Sequence, residues 1–480
     1  MAGLVLVTVN PAYLSKELEY VLKQSQAVAL VHETSYRGRQ LLPMIEEVRS
    51  RLPLLRHVVN MEQLDDFCAA APHGGKSLPE VTPRDPAMIQ YTSGTTGFPK
   101  GALLVHRGLT NNARLGAWHN TSKMAWHRTP FTNQDRPLAS GGKAVVSISA
   151  MPLFHTAGCA LALLGSVSTF GTLVMLREFN PEVFLDLIEQ ERPHISLLVP
   201  TMLIAVLERQ QQRPRDVSSL LVMASGASVV PSAVVERVRE LFGVDFSIVY
   251  GQTETSPLLT GTRLGDSLED SSHSIGRPFP HTSVKIAGLS NDSSSSFSPV
   301  PVNQVGEICA RGYCLMEGYF GMEEATRKTI DRDGWLHTGD LGMMDERGFV
   351  YIKGRLKDMI IRGGENVYPR EIEDVLFTHP LVSDCAVVGL PDDKYGEIVA
   401  AVITPKPDHL VLPDELRAHC HSQLSHYKVP VRWFECQQFP LTPSGKIQKF
   451  VLVEMILKGQ LQPIPSSSSS SSSQNIHAKL

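Results

Sequence analysis

The chain has 480 residues, of which 42% are hydrophobic and 20% charged, and its net charge is −4. That length leaves room for two or more domains, the larger with a sizeable core. The weak acidic balance gives no basis for nucleic-acid binding or a polybasic membrane anchor. The seven cysteines form no CxxC pair, and Cys309 and Cys314 lack a partner pair at metal-ligand spacing, so reduced thiols in an intracellular compartment are expected.

Taken in order, the pattern begins with a strand over Leu4 to Val9, turned by Asn10-Pro11. Ser15 is placed to cap an amphipathic helix containing Leu18, Val21 and Leu22, and Val28 to Val31 reads as a further strand. No charged n-region precedes the first apolar run, and no Arg-rich transit sequence is present. Ala87 to Gln90 reads as a strand, with a helix-like segment from about Gly108.

Between them lies Tyr91-Thr92-Ser93-Gly94-Thr95-Thr96-Gly97-Phe98-Pro99-Lys100-Gly101. Its small, hydroxyl-rich backbone suits the wrapping of a phosphate that Lys100 neutralises. It is not a Walker A loop, because Lys100 is followed by Gly101 rather than Ser or Thr. An ordinary polar turn between strand and helix is the alternative for the run alone.

Trp118 to Ala144 has little periodicity and reads as an inserted surface loop. Thr156 to Leu176 carries no charge, but its glycines, serines and threonines favour a buried helix, a turn and a short strand over a membrane span. Strands are expected at Val145–Ala150, Ile195–Val199, Leu220–Ala224 and Phe246–Tyr250. Helices are expected at Pro181–Glu191, Thr201–Arg209 and Pro231–Phe242. The alternation argues for parallel βαβ units covered on both faces. Past Gly276 the pattern becomes β-rich, with Val284–Ile286 and Val305–Ala310 as strands and Ser293–Ser296 as a loop. From Gly354 a compact α+β unit follows, with helices at Pro369–Phe377 and around Leu416–Leu424, and Val382–Val388 between them. The fold class is therefore α/β: a large N-terminal α/β domain over 1–356 with a β-rich part, and a small C-terminal α+β domain over 357–460. The eight-serine tract within 461–480 cannot bury a core and is expected to be a flexible tail.

Six further stretches carry chemistry. Met151-Pro-Leu-Phe-His155 ends a strand; Ser225-Gly226-Ala227 follows another; Tyr250-Gly251-Gln252-Thr253-Glu254-Thr255 closes the βαβ series at the carboxyl edge, where open α/β sheets bind ligands. Tyr250 offers a face for stacking, and Glu254 is a hard oxygen ligand suited to Mg²⁺. Asp340 in His337-Thr-Gly-Asp-Leu-Gly and Arg355 in Gly354-Arg-Leu-Lys-Asp are, respectively, an acceptor for hydroxyls and a donor. Lys446 in Pro443-Ser-Gly-Lys-Ile-Gln-Lys follows a flexible glycine and can deliver a point cation. For each residue in isolation the plainer alternative is structural: a hydrogen-bonded histidine, a solvated carboxylate, a surface lysine.

Together, and in this order, these stretches resemble the adenylate-forming superfamily of acyl-CoA synthetases, luciferases and adenylation domains, over nearly the whole chain. The runs Arg311–Tyr319 and Met359–Asn366 are most similar to medium-chain acyl-CoA synthetases related to acyl-CoA synthetase family member 2. The resemblance implies ATP-dependent ligation of a fatty acid to coenzyme A through an acyl-AMP, with ATP, Mg²⁺ and CoA as cofactors. It implies phosphate contacts from Thr92, Ser93, Gly94, Thr95, Thr96, Gly97 and Lys100, and metal ligands at Glu254 and Thr95. His155 would sit near the acyl carboxylate. Gly226, Ala227, Tyr250, Gly251, Gln252 and Thr253 would lie beside adenine and acyl group, Asp340 on the ribose hydroxyls, and Arg355 on the ribose or a phosphate. Lys357 would be the hinge between domains, Gly363 and Gly364 would line the CoA tunnel, and Lys446 would be the catalytic cation.

The family pattern implies about a hundred further residues before Met1, so a catalytically impaired short isoform is one alternative. An aryl acid or a carrier protein as acceptor are the others. No transmembrane segment and no nucleic-acid partner are expected. The ending Ala478-Lys479-Leu480 is a close variant of the peroxisomal address and implies an import receptor, with mitochondrion or cytosol as the other compartments.

Overall fold

The structure, a computed structural model, describes the chain outside residues 1–2, 71–77, 93–98, 123, 129–134, 139–143, 227–229, 231, 290–297, 408, 410, 442–446 and 465–480; at 125–128 and 135–138 it describes the backbone. The chain forms two compact units. The first holds Met1–Lys285, Cys309–Thr338 and Asp345–Tyr351, and the second holds Ile286–Ile308, Gly339–Met344 and Ile352–Leu480. The expected β-rich part is a four-stranded sheet of Thr282–Ala287, Gly306–Gly312, Leu336–Met344 and Val350–Arg355, and the division between the units cuts through all four strands.

The first unit is built on a seven-stranded sheet. Its order runs Thr172–Met175, Val146–Ser149, Ile195–Leu198, Val222–Gly226, Asp245–Tyr250, then Thr260–Gly261 and Arg277–Pro278. The first five strands are parallel and the last two antiparallel. In chain order the parallel strands therefore lie second, first, third, fourth, fifth. This doubly wound order places its switch point between Val146–Ser149 and Ile195–Leu198.

One face of the sheet is covered by the helices Pro181–Glu191, Pro200–Gln212 and Ser232–Phe242. Phe184, Leu185, Ile188, Leu203, Leu207, Val235 and Val238 are buried there against Ile148, Leu198, Met223 and Phe246. Each such side chain contributes about 2 kcal/mol of transfer free energy. Helix His106–Thr121 and the wide-turn helix Ala157–Leu164 pack together; between them and the other face of the sheet lies a small cavity. The uncharged stretch after Thr156 is thus a buried helix, a turn and the strand Thr172–Met175, as its composition requires. Among the described residues no helix is long and apolar enough to cross a membrane.

Three local expectations need correction. Ser15 does not cap the first helix, Ser15–Gln24: Leu14 is the cap residue, its N–H donates to Glu17 Oε2 at 3.0 Å, and Ser15 Oγ donates to Glu47 instead. The Thr92–Lys100 loop does not lead from strand to helix. A second strand, Gly101–Val105, follows it and returns antiparallel to Pro86–Tyr91 before the helix begins at His106. Trp118–Ala144 is not one loop: the helix runs on to Thr121, because Gly116 and His119 are buried, and Ala125–Arg128 pairs with Asp135–Leu138 as a hairpin.

The second unit contains a five-stranded sheet of Glu365–Val367, Ile360–Arg362, Gly396–Pro405, Val382–Asp392 and Arg432–Glu435. Its strands alternate with period two. Cys385, Val387, Val399, Ala401 and Ile403 meet Ile372 and Leu376 of helix Pro369–Phe377 and Leu416 of helix Pro413–His421. Ala386, Val388, Ala400 and Val402 face Leu452 of helix Lys449–Leu457. Both faces are therefore buried, which explains the near-continuous apolar runs of these strands.

Candidate functional site

In the first unit the polar loop is a hairpin loop closed at its base by Thr92 N–H donating to Lys100 O at 2.9 Å. The hairpin is fixed from two sides. Tyr91 Oη donates to Val21 O at 3.1 Å on the first helix, and Gln90 Nε2 donates to Phe154 O at 2.6 Å, beside His155. Ser93, Gly94, Thr95, Thr96 and Gly97 lie outside the described residues, as do Ala227, Lys446 and the tail ending Ala478-Lys479-Leu480.

Lys100 and Glu254 are brought to a common partner that the sequence did not single out. Tyr319 Oη donates to Glu254 Oε1 at 2.7 Å, and Lys100 Nζ stands 4.4 Å from the centre of the Tyr319 ring. Burial, with the Glu254 charge second, pushes the Tyr319 phenol well above its ordinary range, so it stays a donor. The turn carrying Glu254 is held by Met316 N–H donating to Glu254 O, and by Asn112, whose side chain exchanges two 2.9 Å hydrogen bonds with Leu258. Gln252 Nε2 donates to Thr338 O at 2.7 Å. Glu254 is half-buried, with one carboxylate oxygen oriented by a neutral hydroxyl. A hard oxygen donor so oriented fits Mg²⁺.

His155 is half-buried, and its Nδ1 accepts from Ala157 N–H at 3.3 Å at the start of helix Ala157–Leu164. Gly226 ends its strand under a constraint from the protein itself: a Cβ there would stand 2.3 Å from Val249 O on the adjacent strand. Tyr250 ends that adjacent strand and Gly251, Gln252 and Thr253 follow it, all partly exposed.

In the second unit Arg355 Nε lies 3.2 Å from Asp340 Oδ1, so the expected ribose acceptor and the expected ribose or phosphate donor share an ion pair; Asp340 is buried and Arg355 half-exposed. Lys357 sits in the short helical turn Leu356–Asp358 with its side chain exposed. Partial desolvation lowers its pKa, with the like charge of Arg355 adding and Asp358 opposing. Gly363 and Gly364 form the two-residue turn between Ile360–Arg362 and Glu365–Val367 with φ of +62° and +88°. That left-handed turn needs glycine irrespective of any ligand.

A family model described as "AMP-binding enzyme" matches residues 1–320, and one described as "AMP-binding enzyme C-terminal domain" matches 371–446.

The chain belongs to the AMP-binding enzyme family.

Within this family it is 40% identical to a putative acyl-CoA synthetase, YngI, of Bacillus subtilis, over 95% of this chain and 84% of that protein. It is 34% identical to the mitochondrial medium-chain acyl-CoA ligase ACSF2 of Homo sapiens, over 95% of this chain and 75% of the relative. Its fold is similar to that of the anthranilate CoA ligase AuaEII solved with anthranoyl-AMP, with a TM-score of 0.80 and 26% identity over 95% and 84% of the two chains. This AMP-binding enzyme is an AMP-forming CoA ligase that uses ATP and coenzyme A.

Tyr319, Gln90 and Asn112 are the site-building residues that sequence reading missed. Tyr319 was visible only as the last residue of a family-like run, and its 65-residue separation from Glu254 hides the bond.

Proposed function

We propose that this ligase activates a medium-chain fatty acid. The support for chain length is the 34% identity to a relative named as a medium-chain acyl-CoA ligase. The observation that carries the adenylation reading is the Lys100–Tyr319–Glu254 arrangement at the base of the polar hairpin loop.

The acid's carboxylate attacks the α-phosphate of ATP and pyrophosphate leaves, giving acyl-AMP; the CoA thiol, losing its proton, then attacks the acyl carbonyl, and AMP leaves as the acyl–phosphate bond breaks. Adenylation of this kind depends on positioning and charge neutralisation. Loop residues Thr92 to Lys100 hold phosphate oxygens, and Lys446 neutralises charge near the α-phosphate. Glu254 and Thr95 would hold Mg²⁺, which supplies charge neutralisation on the phosphates when bound. Tyr250 stacks on adenine, Gly226, Ala227, Gly251, Gln252 and Thr253 border it, and His155 closes the acyl side. Asp340 holds the ribose hydroxyls, and Arg355 the ribose or a phosphate. Residues 1–356 adenylate, 357–460 turn about Lys357 between half-reactions, and Gly363-Gly364 border the pantetheine path.

The likeness to an anthranilate CoA ligase favours an aryl acid as the second reading. Acid-dependent ATP–pyrophosphate exchange over fatty and aryl acids, followed by acyl-CoA detection, tests both. Exchange with aryl acids alone would remove the fatty-acid reading. For location, we propose import through the terminal Ala-Lys-Leu; a mitochondrial compartment, as in the name of the ACSF2 relative, is the alternative.

A further inference from the structure

The polar hairpin and the strand that carries Tyr319 are held together by more than their shared ladder. Gly318–Tyr319 pairs antiparallel with Gly101–Val105, and Phe320 N–H donates to Gly101 O at 2.8 Å. The carbonyl of Phe320 is gripped as well. Gln24, the last residue of helix Ser15–Gln24, donates to it from Nε2 at 2.5 Å, and Gln24 Oε1 accepts from Tyr91 Oη, also at 2.5 Å. The single phenol hydrogen is shared with Val21 O at 3.1 Å, three residues earlier on the same helix. A backbone carbonyl can only accept, so the amide nitrogen of Gln24 must face Phe320 and its oxygen Tyr91.

This amide spans the base of the hairpin loop. Tyr91 ends the strand that enters the loop, Gly101 begins the strand that leaves it, and Phe320 directly follows Tyr319. A Cβ at Gly101 would stand 3.3 Å from Tyr91 Cζ and 3.4 Å from Gln24 Oε1, so the amide passes beside the residue that follows Lys100. Gln24 is half-buried and Tyr91 is buried, which limits competition from water for these bonds.

What the amide joins is the support of two charges. Lys100 Nζ stands over the Tyr319 ring, and Tyr319 Oη donates to Glu254. A shift of Phe320 relative to Tyr91 would carry the Tyr319 ring with it and disturb both contacts. We infer that Gln24 is a positioning residue for the triphosphate end of ATP, acting through Tyr91 and Phe320 to keep Lys100 and Glu254 gathered about Tyr319. This rests on the ligase reading given above and adds a residue to its ATP site. A group held 0.5–1 Å out of place is enough to weaken a preorganised site.

The test uses the full chain and measures KM for MgATP and KM for the acid separately in pyrophosphate exchange. Thioester formation from supplied acyl-AMP serves as the step that needs no triphosphate. Gln24→Met keeps the length of the side chain and loses both hydrogen bonds. Gln24→Glu keeps an acceptor for Tyr91 but sets an oxygen against Phe320 O. Each should raise KM for MgATP by about five- to ten-fold, the worth of one hydrogen bond. Each should also raise the Mg²⁺ concentration needed for half-maximal exchange, while the acid KM and the thioester rate stay unchanged. Tyr91→Phe, the mildest change, should give the same split to a smaller degree. A KM does not depend on the amount of folded enzyme, so a general loss of stability cannot mimic the split. Equal rises in both KM values, or an unchanged KM for MgATP in all three variants, would overturn the inference and leave the ligase reading standing. Absence of exchange by the unsubstituted chain with any acid would overturn both.

Discussion

Lys449 Nζ lies 2.6 Å from Glu373 Oε1, and that same oxygen accepts the backbone N–H of Val387 at 2.8 Å. Glu373 is 8% exposed. The pair joins the first residue of helix Lys449–Leu457 to helix Pro369–Phe377 and the strand Val382–Asp392, two residues after the antiparallel bridge between Leu441 and Ile447. The base of the segment that carries Lys446 is thereby tied to the core of the second unit.

Removing one partner leaves a buried charge uncompensated. Lys449→Met should cost roughly 3 kcal/mol of stability in the second unit. Glu373→Gln with Lys449→Met should cost less than the sum of the two single changes. Urea denaturation of the three variants checks this, and strict additivity would show that the ion pair does not couple the two positions.

Tyr319→Phe removes the hydroxyl from Glu254 but keeps the ring beneath Lys100. A hydrogen bond to a charged group contributes about 1.5–3 kcal/mol. Adenylation should fall by about ten-fold or more, with a higher Mg²⁺ requirement, while thioester formation from supplied acyl-AMP should change little. An unaltered Mg²⁺ dependence would separate Glu254 from the metal.

His119 is buried, with Nε2 at 2.8 Å from Thr262 O and 3.1 Å from Ser247 Oγ. Burial lowers its pKa below the ordinary 6.5, with Thr262 and Asp266 opposing and Arg263 adding. Above the ordinary value both folded and unfolded chains hold it neutral. As pH falls below 6.5 the unfolded chain takes up the proton first, so stability falls with pH until the lowered folded value is passed. Urea midpoints at about pH 7.5 and about pH 5.5 should differ, and His119→Gln should shrink the difference.

The polar groups assigned to the two half-reactions should separate in kinetics. Lys446→Ala should slow acyl-AMP formation by ~10²–10³-fold yet permit CoA to react with supplied acyl-AMP. Lys357→Pro, within the turn Leu356–Asp358, should do the reverse by fixing φ at the hinge. Equal losses in both steps for both variants would defeat the two-orientation mechanism.

A reporter carrying residues 460–480 should enter peroxisomes. A diffuse or mitochondrial signal would rule out the Ala-Lys-Leu address.

The parallel strands were legible because each is a short apolar run bounded by helix starts, as at Ile195–Leu198 before Pro200. Gly101–Val105 escaped because five apolar-leaning residues sit between a loop and a helix with no turn of their own to mark them. The hairpin at Ala125–Leu138 escaped for the opposite reason, since Arg128, Asp135 and Arg136 give no alternation to read. Motif residues were found as local runs. Their partners were not, because Tyr319 meets Glu254, and Glu373 meets Lys449, only after the chain has folded across many residues.

Gly226 carries a consequence for inherited or engineered variation. Its missing side chain is demanded by the carbonyl of Val249 on the neighbouring strand, so alanine there wedges apart two central strands. Such a variant would reach the cell as a folding lesion, cleared by chaperones and proteases, and would register as scarce protein rather than slow turnover. Activity measured per cell would mislead at this position; activity per folded molecule would not.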